Sequence, residues 1–184
     1  AHYTHERICG VLGLPFESIP CDSKARMDLT SLIASLRKGD VGTVVVTIGT
    51  TGSGSIDPLP EILKLQAQYE FRIHADAAYG GYFILVDNLS PEALSTFQYI
   101  KEVDSIVIDP HKHGLQPYGC GCVLFKDPTV GRYYKHSSPY TYFSSDELHL
   151  GEISLECSRP GAAAVALWAT QQLLPYVPGG KFAS

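Results

Sequence analysis

Two segments decide the fold of this chain: FRIHADAA at residues 71–78 and DSIVIDPHK at residues 104–112. In each, a run typical of a buried β-strand ends at a charged side chain, Asp76 in the first segment and Lys112 in the second. Open α/β sheets gather their ligands at the carboxyl ends of parallel strands. The two segments therefore predict an acid and a lysine at one edge of the same sheet.

Strand and helix patterns alternate along the rest of the chain, as in an α/β protein. Capping residues, prolines and helical spacing of apolar side chains indicate four helix starts, at Asp28, Pro58, Ser90 and Ala162. The expected strands cover residues 43–48, 71–75, 105–108 and 121–125. The last strand follows the third too closely for a helical crossover, so it is expected to run antiparallel. The prediction is an α/β fold with a mostly parallel sheet and one antiparallel strand.

The composition limits the classes of function. The chain has 184 residues, 45% of them hydrophobic, which is enough to bury a core and suggests one domain. The net charge of -5, without a run of lysines and arginines, argues against nucleic acid as a partner. Apolar runs stay far below the roughly 20 residues of a membrane helix, so a membrane is not expected as a partner. The five cysteines have no CxxC spacing, which favours free thiols and a cytoplasmic localisation.

Asp76 and Lys112 are the two groups that a pyridoxal phosphate site needs. The cofactor requires a lysine amine to form a Schiff base with its aldehyde, and an acidic partner to keep its pyridine nitrogen protonated. Either residue alone has a plainer interpretation, because strand-end acids often cap turns or helices and most lysines are exposed. Their joint placement favours pyridoxal 5'-phosphate as the cofactor.

The histidines raise a metal site as an alternative. His74 and Asp76 stand two apart, and so do His111 and His113. Residues two apart in a strand share a face, but the second pair lies in a turn after a proline, where nothing forces convergence. Metal sites usually have a more complete set of ligands, so we expect no metal.

The chain resembles the group II pyridoxal phosphate-dependent decarboxylases, a family with aromatic amino acid, tyrosine, glutamate and histidine-type members. The matching motifs are AHYTHER at residues 1–7, TIGTT at 47–51, HADAA at 74–78, DPHK at 109–112 and ECSRPG at 156–161. The resemblance implies the aspartate aminotransferase-like type I fold, with residues 1–174 as a part of the cofactor-binding large domain and 175–184 as a tail or linker. Family members are longer, with a Gly/Ser-rich phosphate-binding segment upstream and a small domain downstream, so the chain is expected to be partial.

The same resemblance assigns catalytic residues. In the family, the residue that matches Asp76 pairs with the pyridinium, and the residue that matches Lys112 forms the Schiff base. His2 matches a histidine that stacks on the cofactor ring, and an imidazole there can also donate a proton near neutral pH. His5 does not match that position.

Further residues are implied to bind the cofactor. Thr47 matches a threonine beside the cofactor, and Ala78 matches a residue that packs against a ring face. Ser105 and His111 are implied to lie near the phosphate. Arg159 matches the arginine of the family's Cys-Ser-Arg segment.

The implied activity is decarboxylation of an amino acid to an amine and carbon dioxide through the Lys112 Schiff base. Another type I reaction, such as transamination or C–S bond cleavage, is an alternative, and so is a catalytically silent fragment or pseudoenzyme that acts as an interaction partner. The expected partners are a small-molecule amino acid substrate and a second copy in a homodimer. The family keeps a proton-donating tyrosine on a mobile loop, and the candidates are Tyr133, Tyr134, Tyr140 and Tyr142.

Overall fold

A mixed four-stranded sheet organises the described part of the computed structural model, which comprises residues 1–136, 149–153 and 160–183. Its strands are β1 (Thr43–Thr47), β2 (Arg72–Asp76), β3 (Ser105–Ile108) and β4 (Cys122–Phe125), in the order β1-β2-β3-β4. The β1–β2 and β2–β3 pairs are parallel, and β3–β4 is antiparallel. The predicted sheet, including its one antiparallel strand, is confirmed.

Seven α-helices are described, and the predicted starts are confirmed. They are α1 (Tyr3–Leu12), α2 (Leu29–Leu36), α3 (Leu59–Gln66), α4 (Pro91–Tyr99), α5 (Pro110–His113), α6 (Leu150–Ile153) and α7 (Ala162–Leu173). Asp28 and Ser90 cap α2 and α4, because their side chains accept the N–H groups of Ser31 and Ala93. In the described ranges, no helix is long and apolar enough to cross a membrane.

The hydrophobic core lies on one face of the sheet. Side chains alternate between the two faces of a strand, so Val44, Val46 and Ile48 point one way and Thr47 the other. The core-facing positions of β1 and β2 pack with α2, α3, α4 and the loops between them, through Leu32, Leu36, Leu59, Ile62, Ile73, Ala75, Ala77 and Phe97. The opposite face carries the polar side chains of the strand ends.

Two glycines allow the backbone that follows β1 to approach the backbone that follows β2 closely. Gly49 has a left-handed φ of 83°. A Cβ added at Gly80 would overlap the carbonyl oxygen of Ile48 and lie 2.7 Å from its carbonyl carbon. The carboxyl ends of the two strands are therefore fastened at a point where only glycine fits.

The segment after α7 packs back onto the 3-10 turn Gly81–Leu85. The ring of Tyr82 lies 5.4 Å from that of Tyr176 and 5.5 Å from that of Phe182, centroid to centroid. The N–H of Gly179 donates to the carbonyl oxygen of Leu85 at 2.8 Å. This segment is packed against the domain, and the division at residue 174 stays a prediction.

Candidate active site

Asp76 ends β2 and is almost buried, at 8% exposure. Its Oδ2 accepts the Nε2–H of His5 at 2.9 Å, and its Oδ1 accepts the N–H of Ala78 at 3.3 Å. Burial alone raises the pKa of this carboxyl, but the His5 hydrogen bond, the Ala78 N–H and the nearby His74 together hold it below its ordinary value. Asp76 is therefore an ionised carboxylate at neutral pH.

Thr47 stands opposite Asp76 in the β1–β2 register, as the shared strand edge predicts. Its backbone N–H donates to Asp57 Oδ2 at 2.7 Å, and the N–H of Met27 donates to Asp57 Oδ1 at 2.7 Å. Burial raises the pKa of Asp57, although both N–H groups oppose that rise. Sequence reasoning missed Asp57, which fixes the end of β1 from a position just before α3.

Lys112 lies in α5, the single turn of helix that follows β3. Its Nζ is 2.9 Å from Asp109 Oδ2, and its side chain is 31% exposed. In the part of the chain that the structure describes, the amine pairs with Asp109 and not with Asp76. The backbone joins the two segments, since the N–H of Asp109 donates to the carbonyl oxygen of Ala78 at 3.2 Å.

His111 precedes Lys112, and two residues of the loop before β4 hold its ring in place. Its Nδ1–H donates to the carbonyl oxygen of Cys120 at 2.7 Å, and its ring lies 4.8 Å from that of Tyr118. Its Nε2 is 3.8 Å from Asp109 Oδ2. Because Nδ1–H is donated to Cys120, Nε2 can donate to an anion such as a phosphate only when the ring is protonated.

Ser105 lies at the start of β3, two residues before the position that pairs with Asp76. Its hydroxyl is 2.8 Å from His74 Nδ1 across the β2–β3 pair. Burial, with a contribution from His5, lowers the pKa of His74. This hydroxyl bonds a neutral imidazole here, and its contact with a phosphate stays a prediction.

The first two histidines of the chain have different positions. His2 caps α1, with Nδ1 2.6 Å from Thr4 Oγ1, and it is exposed. His5 lies one turn later on the same side of the helix and reaches Asp76. The structure joins His5 to the predicted acid, a contact that sequence reasoning missed, while the stacking role of His2 stays a prediction. The three-residue spacing on a helix is the signal that could have drawn attention to His5.

Several candidate residues lie outside the described ranges or are exposed to solvent. Tyr140, Tyr142 and Arg159 are outside the described residues. Tyr133 and Tyr134 are exposed, and the Tyr133 hydroxyl accepts an N–H of Arg132 at 3.0 Å. Within the described ranges, no group of three histidine, cysteine, aspartate or glutamate side chains is arranged to hold a metal ion.

A cleft of about 950 Å³ opens near the same edge, on the helix-covered face of the sheet. Gly49, Tyr79 and Phe83 line it, together with Lys24 and Glu92, whose charged ends are 3.1 Å apart. Of the predicted site residues that the structure describes, none lines this cleft. The candidate site is on the opposite face, where α1 brings His5 to Asp76.

The residues present fit pyridoxal phosphate. The ionised Asp76 suits a protonated ring nitrogen, and from the described residues its Oδ1 accepts only the long 3.3 Å bond from Ala78. The Ala78–Asp109 backbone bond keeps the lysine turn beside the strand end that carries the acid. A strand-end acid, with a lysine in the helical turn after the neighbouring strand, is the pair expected of type I pyridoxal phosphate-dependent proteins.

Comparison with known proteins gives the family. The model of the pyridoxal-dependent decarboxylase conserved domain matches residues 1–175. The chain belongs to this pyridoxal phosphate-dependent family, which confirms the resemblance and the cofactor class read from the sequence.

Curated relatives support the same assignment. The chain is 32% identical over 170 residues to a probable L-tyrosine/L-aspartate decarboxylase of Methanothermobacter thermautotrophicus, a match covering 92% of this chain and 45% of that protein. It is 30% identical over 210 residues to the L-tyrosine decarboxylase of Enterococcus faecium, covering 91% of this chain and 34% of that protein. The chain thus spans less than half the length of these relatives.

Solved structures agree with the fold. The apo form of mouse CSAD is 26% identical, with a TM-score of 0.78, and the match covers 94% of this chain and 37% of that one. Oryza sativa TDC with PLP and tryptamine is 23% identical, with a TM-score of 0.81 and the same two coverages of 94% and 37%. The type I fold is confirmed, and the chain matches a part of each solved structure.

Proposed function

We propose that this chain supplies the ring and aldehyde contacts of an amino acid decarboxylase that releases an amine and carbon dioxide. The observation that carries the proposal is the ionised Asp76 at the end of β2, tied through Ala78 and Asp109 to the turn that holds Lys112. The family match over residues 1–175 supports the same reaction.

Each group in the proposal has a defined task. When bound, the cofactor supplies a protonated pyridine ring that takes up the electron pair left by the departing carbon dioxide. Asp76 Oδ1 would hold the proton on the ring nitrogen, and Lys112 Nζ would form the Schiff base with the aldehyde carbon, with loss of water. Thr47, whose N–H is fixed by Asp57, would pack beside the ring, and Ala78 would lie against its face.

Two histidines complete the proposed site. His2 would stack on the ring and move a proton through its Nε2, because Nδ1 is occupied by Thr4. His111, when protonated, would contact the phosphate through Nε2–H, with Nδ1–H bonded to Cys120. Asp109 orients the Lys112 amine by the 2.9 Å ion pair, and would release it to the aldehyde of the bound cofactor.

The proposed substrate is L-tyrosine or L-aspartate, because relatives about 30% identical carry those names. Substrate choice depends on the shape of the pocket around the reacting carbon. Both amino acids are therefore the first to assay, with tyramine and β-alanine as the expected amines.

A homodimer is proposed as the assembly. Apolar side chains on α1 and α7 are exposed, among them Val11 at 76%, Trp168 at 61% and Leu173 at 80%. Such surfaces are usually covered in an oligomer. Sedimentation velocity should give twice the mass of one chain.

A cytoplasmic location is proposed as well. The free Cys9, Cys21, Cys120 and Cys122 support a reducing, cytoplasmic setting.

The deciding experiment is borohydride reduction of the chain mixed with pyridoxal phosphate, followed by peptide mapping. The label should lie on Lys112. Carbon dioxide release from carboxyl-labelled tyrosine and aspartate then tests the reaction, because transamination releases none. A folded, colourless chain without label would favour a catalytically silent protein.

A further inference from the structure

Among the described residues, a histidine that the family resemblance does not assign makes the shorter of two hydrogen bonds to the carboxylate of the predicted acid. His5 Nε2 lies 2.9 Å from Asp76 Oδ2, although the two residues are 71 positions apart in sequence. Their side chains are 20% and 10% exposed, so water competes little for this bond. The pair also joins α1 to the polar face of the sheet.

We propose that His5 is a positioning residue, which holds Asp76 ionised and turned so that Oδ1 is free for the cofactor's ring nitrogen. The inference rests on the proposed function, because it assigns the partner of the same acid. His5 occupies Oδ2, and within the described part of the chain Oδ1 keeps only the 3.3 Å bond from Ala78. A carboxylate can accept two donors at once, one on each oxygen.

The other groups around Asp76 do not perform this task. His74 is the next titratable side chain, but burial lowers its pKa, and its Nδ1 is bonded to Ser105. The His74 ring meets the His5 ring edge-on, with centroids 6.3 Å apart. Lys112 is paired with Asp109. His5 is thus the side chain whose donor reaches the carboxylate.

Loss of this donor would raise the pKa of the acid. A buried carboxyl that loses a hydrogen-bond donor becomes easier to protonate, because its charged form loses stabilisation. A protonated Asp76 cannot keep the ring nitrogen protonated. His5 would therefore affect the affinity for the cofactor, and also how that affinity falls at acidic pH.

The test compares His5→Phe, which keeps a ring of similar size without a donor, with His5→Gln, which keeps a donor. Carbon-13 NMR of the Asp76 carboxyl in the cofactor-free chain gives its titration midpoint directly. In His5→Phe the midpoint should rise by about one pH unit or more, and the Kd for pyridoxal phosphate should rise about tenfold. His5→Gln should recover most of both values. Glu6→Gln, at an exposed position of α1, is the matched control.

The outcomes separate this inference from the proposed function. If the midpoint in His5→Phe equals that of the wild type, the inference is overturned, even when the chain binds pyridoxal phosphate. If the wild type binds no cofactor, the proposed function fails, and the NMR midpoints still decide the role of His5. If His5→Phe does not fold, a measurement on the wild type tests the inference instead. The Nε2–H of His5 should then exchange more slowly than that of the exposed His2, and equal rates would overturn the inference.

Discussion

The backbone N–H of Asp109 donates to the carbonyl oxygen of Ala78 at 3.2 Å. This bond fastens the turn with Lys112 to the end of the strand with Asp76. Because only main-chain atoms form it, substitution of either side chain leaves it intact. The two proposed roles can therefore be tested one at a time without separating the two segments.

Lys112→Arg should abolish the borohydride-stable attachment of pyridoxal phosphate and leave the fold unchanged. Arginine keeps a positive charge that can pair with Asp109, but its guanidinium does not form the covalent bond. Intact-mass spectrometry after reduction measures the label, and circular dichroism measures the fold. Lys126→Arg is the control, because Lys126 forms an exposed ion pair with Glu102. A label retained in Lys112→Arg would move the attachment to another lysine.

The fold was largely predictable from the sequence because its signals are local. β1 was expected at residues 43–48 and is Thr43–Thr47, since an apolar run bounded by turn residues fixes a strand to within a residue. The helix starts at Asp28 and Ser90 were equally clear, because an N-cap depends on neighbours three residues away. These features need no tertiary information.

The missed parts of the site are those that depend on distant residues. His5 contacts an acid 71 positions away, and Asp57 binds the N–H of Met27 30 positions away. No periodicity or turn rule links such positions in one sequence. Asp76 and Lys112 were predictable because each ends a strand-like run, whereas their partners are set by how the elements pack.

Asp57→Ala should destabilise the chain by about 2 to 6 kcal/mol. The substitution leaves the N–H groups of Thr47 and Met27 without their acceptor, and an unsatisfied buried donor costs about 1 to 3 kcal/mol. Urea unfolding followed by circular dichroism gives the change in free energy. Asp57→Asn, which keeps one acceptor oxygen, should lose less. Asp40→Ala, at an exposed position, is the control and should change little. Equal stability of Asp57→Ala and wild type would remove Asp57 from the support of β1.

Asp76 should make the chain less stable in acid. Its pKa is held below the ordinary value of 3.8, so the unfolded chain binds its proton more readily than the folded chain. The contribution is present above 3.8 and is lost as the pH falls through the lower folded value. Urea unfolding at successive pH values should show a steeper loss in acid for the wild type than for Asp76→Asn.

Asp57 acts in the opposite direction and provides an internal check on this pH dependence. Burial raises its pKa, so its folded form binds a proton more readily, and stability falls as the pH rises from 3.8 through the higher folded value. Asp57→Asn should remove most of this fall in stability with rising pH. It should leave unchanged the loss of stability in acid that depends on Asp76. Identical pH profiles for the wild type and both variants would contradict the assigned directions.

Gly80→Ala should destabilise the chain by about 1 to 3 kcal/mol, because overpacking forces backbone shifts. The added Cβ overlaps the carbonyl oxygen of Ile48 and comes within 3.0 Å of the Gly49 Cα, so two backbone segments must separate. Gly52→Ala is the matched control, since a Cβ there meets no atom within 4 Å. The denaturation midpoints of the two variants measure the difference.

Because the close approach lies directly after Thr47 and Asp76, Gly80→Ala should also weaken pyridoxal phosphate binding, and Gly52→Ala should not. If Gly80→Ala changes neither stability nor binding, the backbone segments at Gly49 and Gly80 can move apart without a cost in free energy.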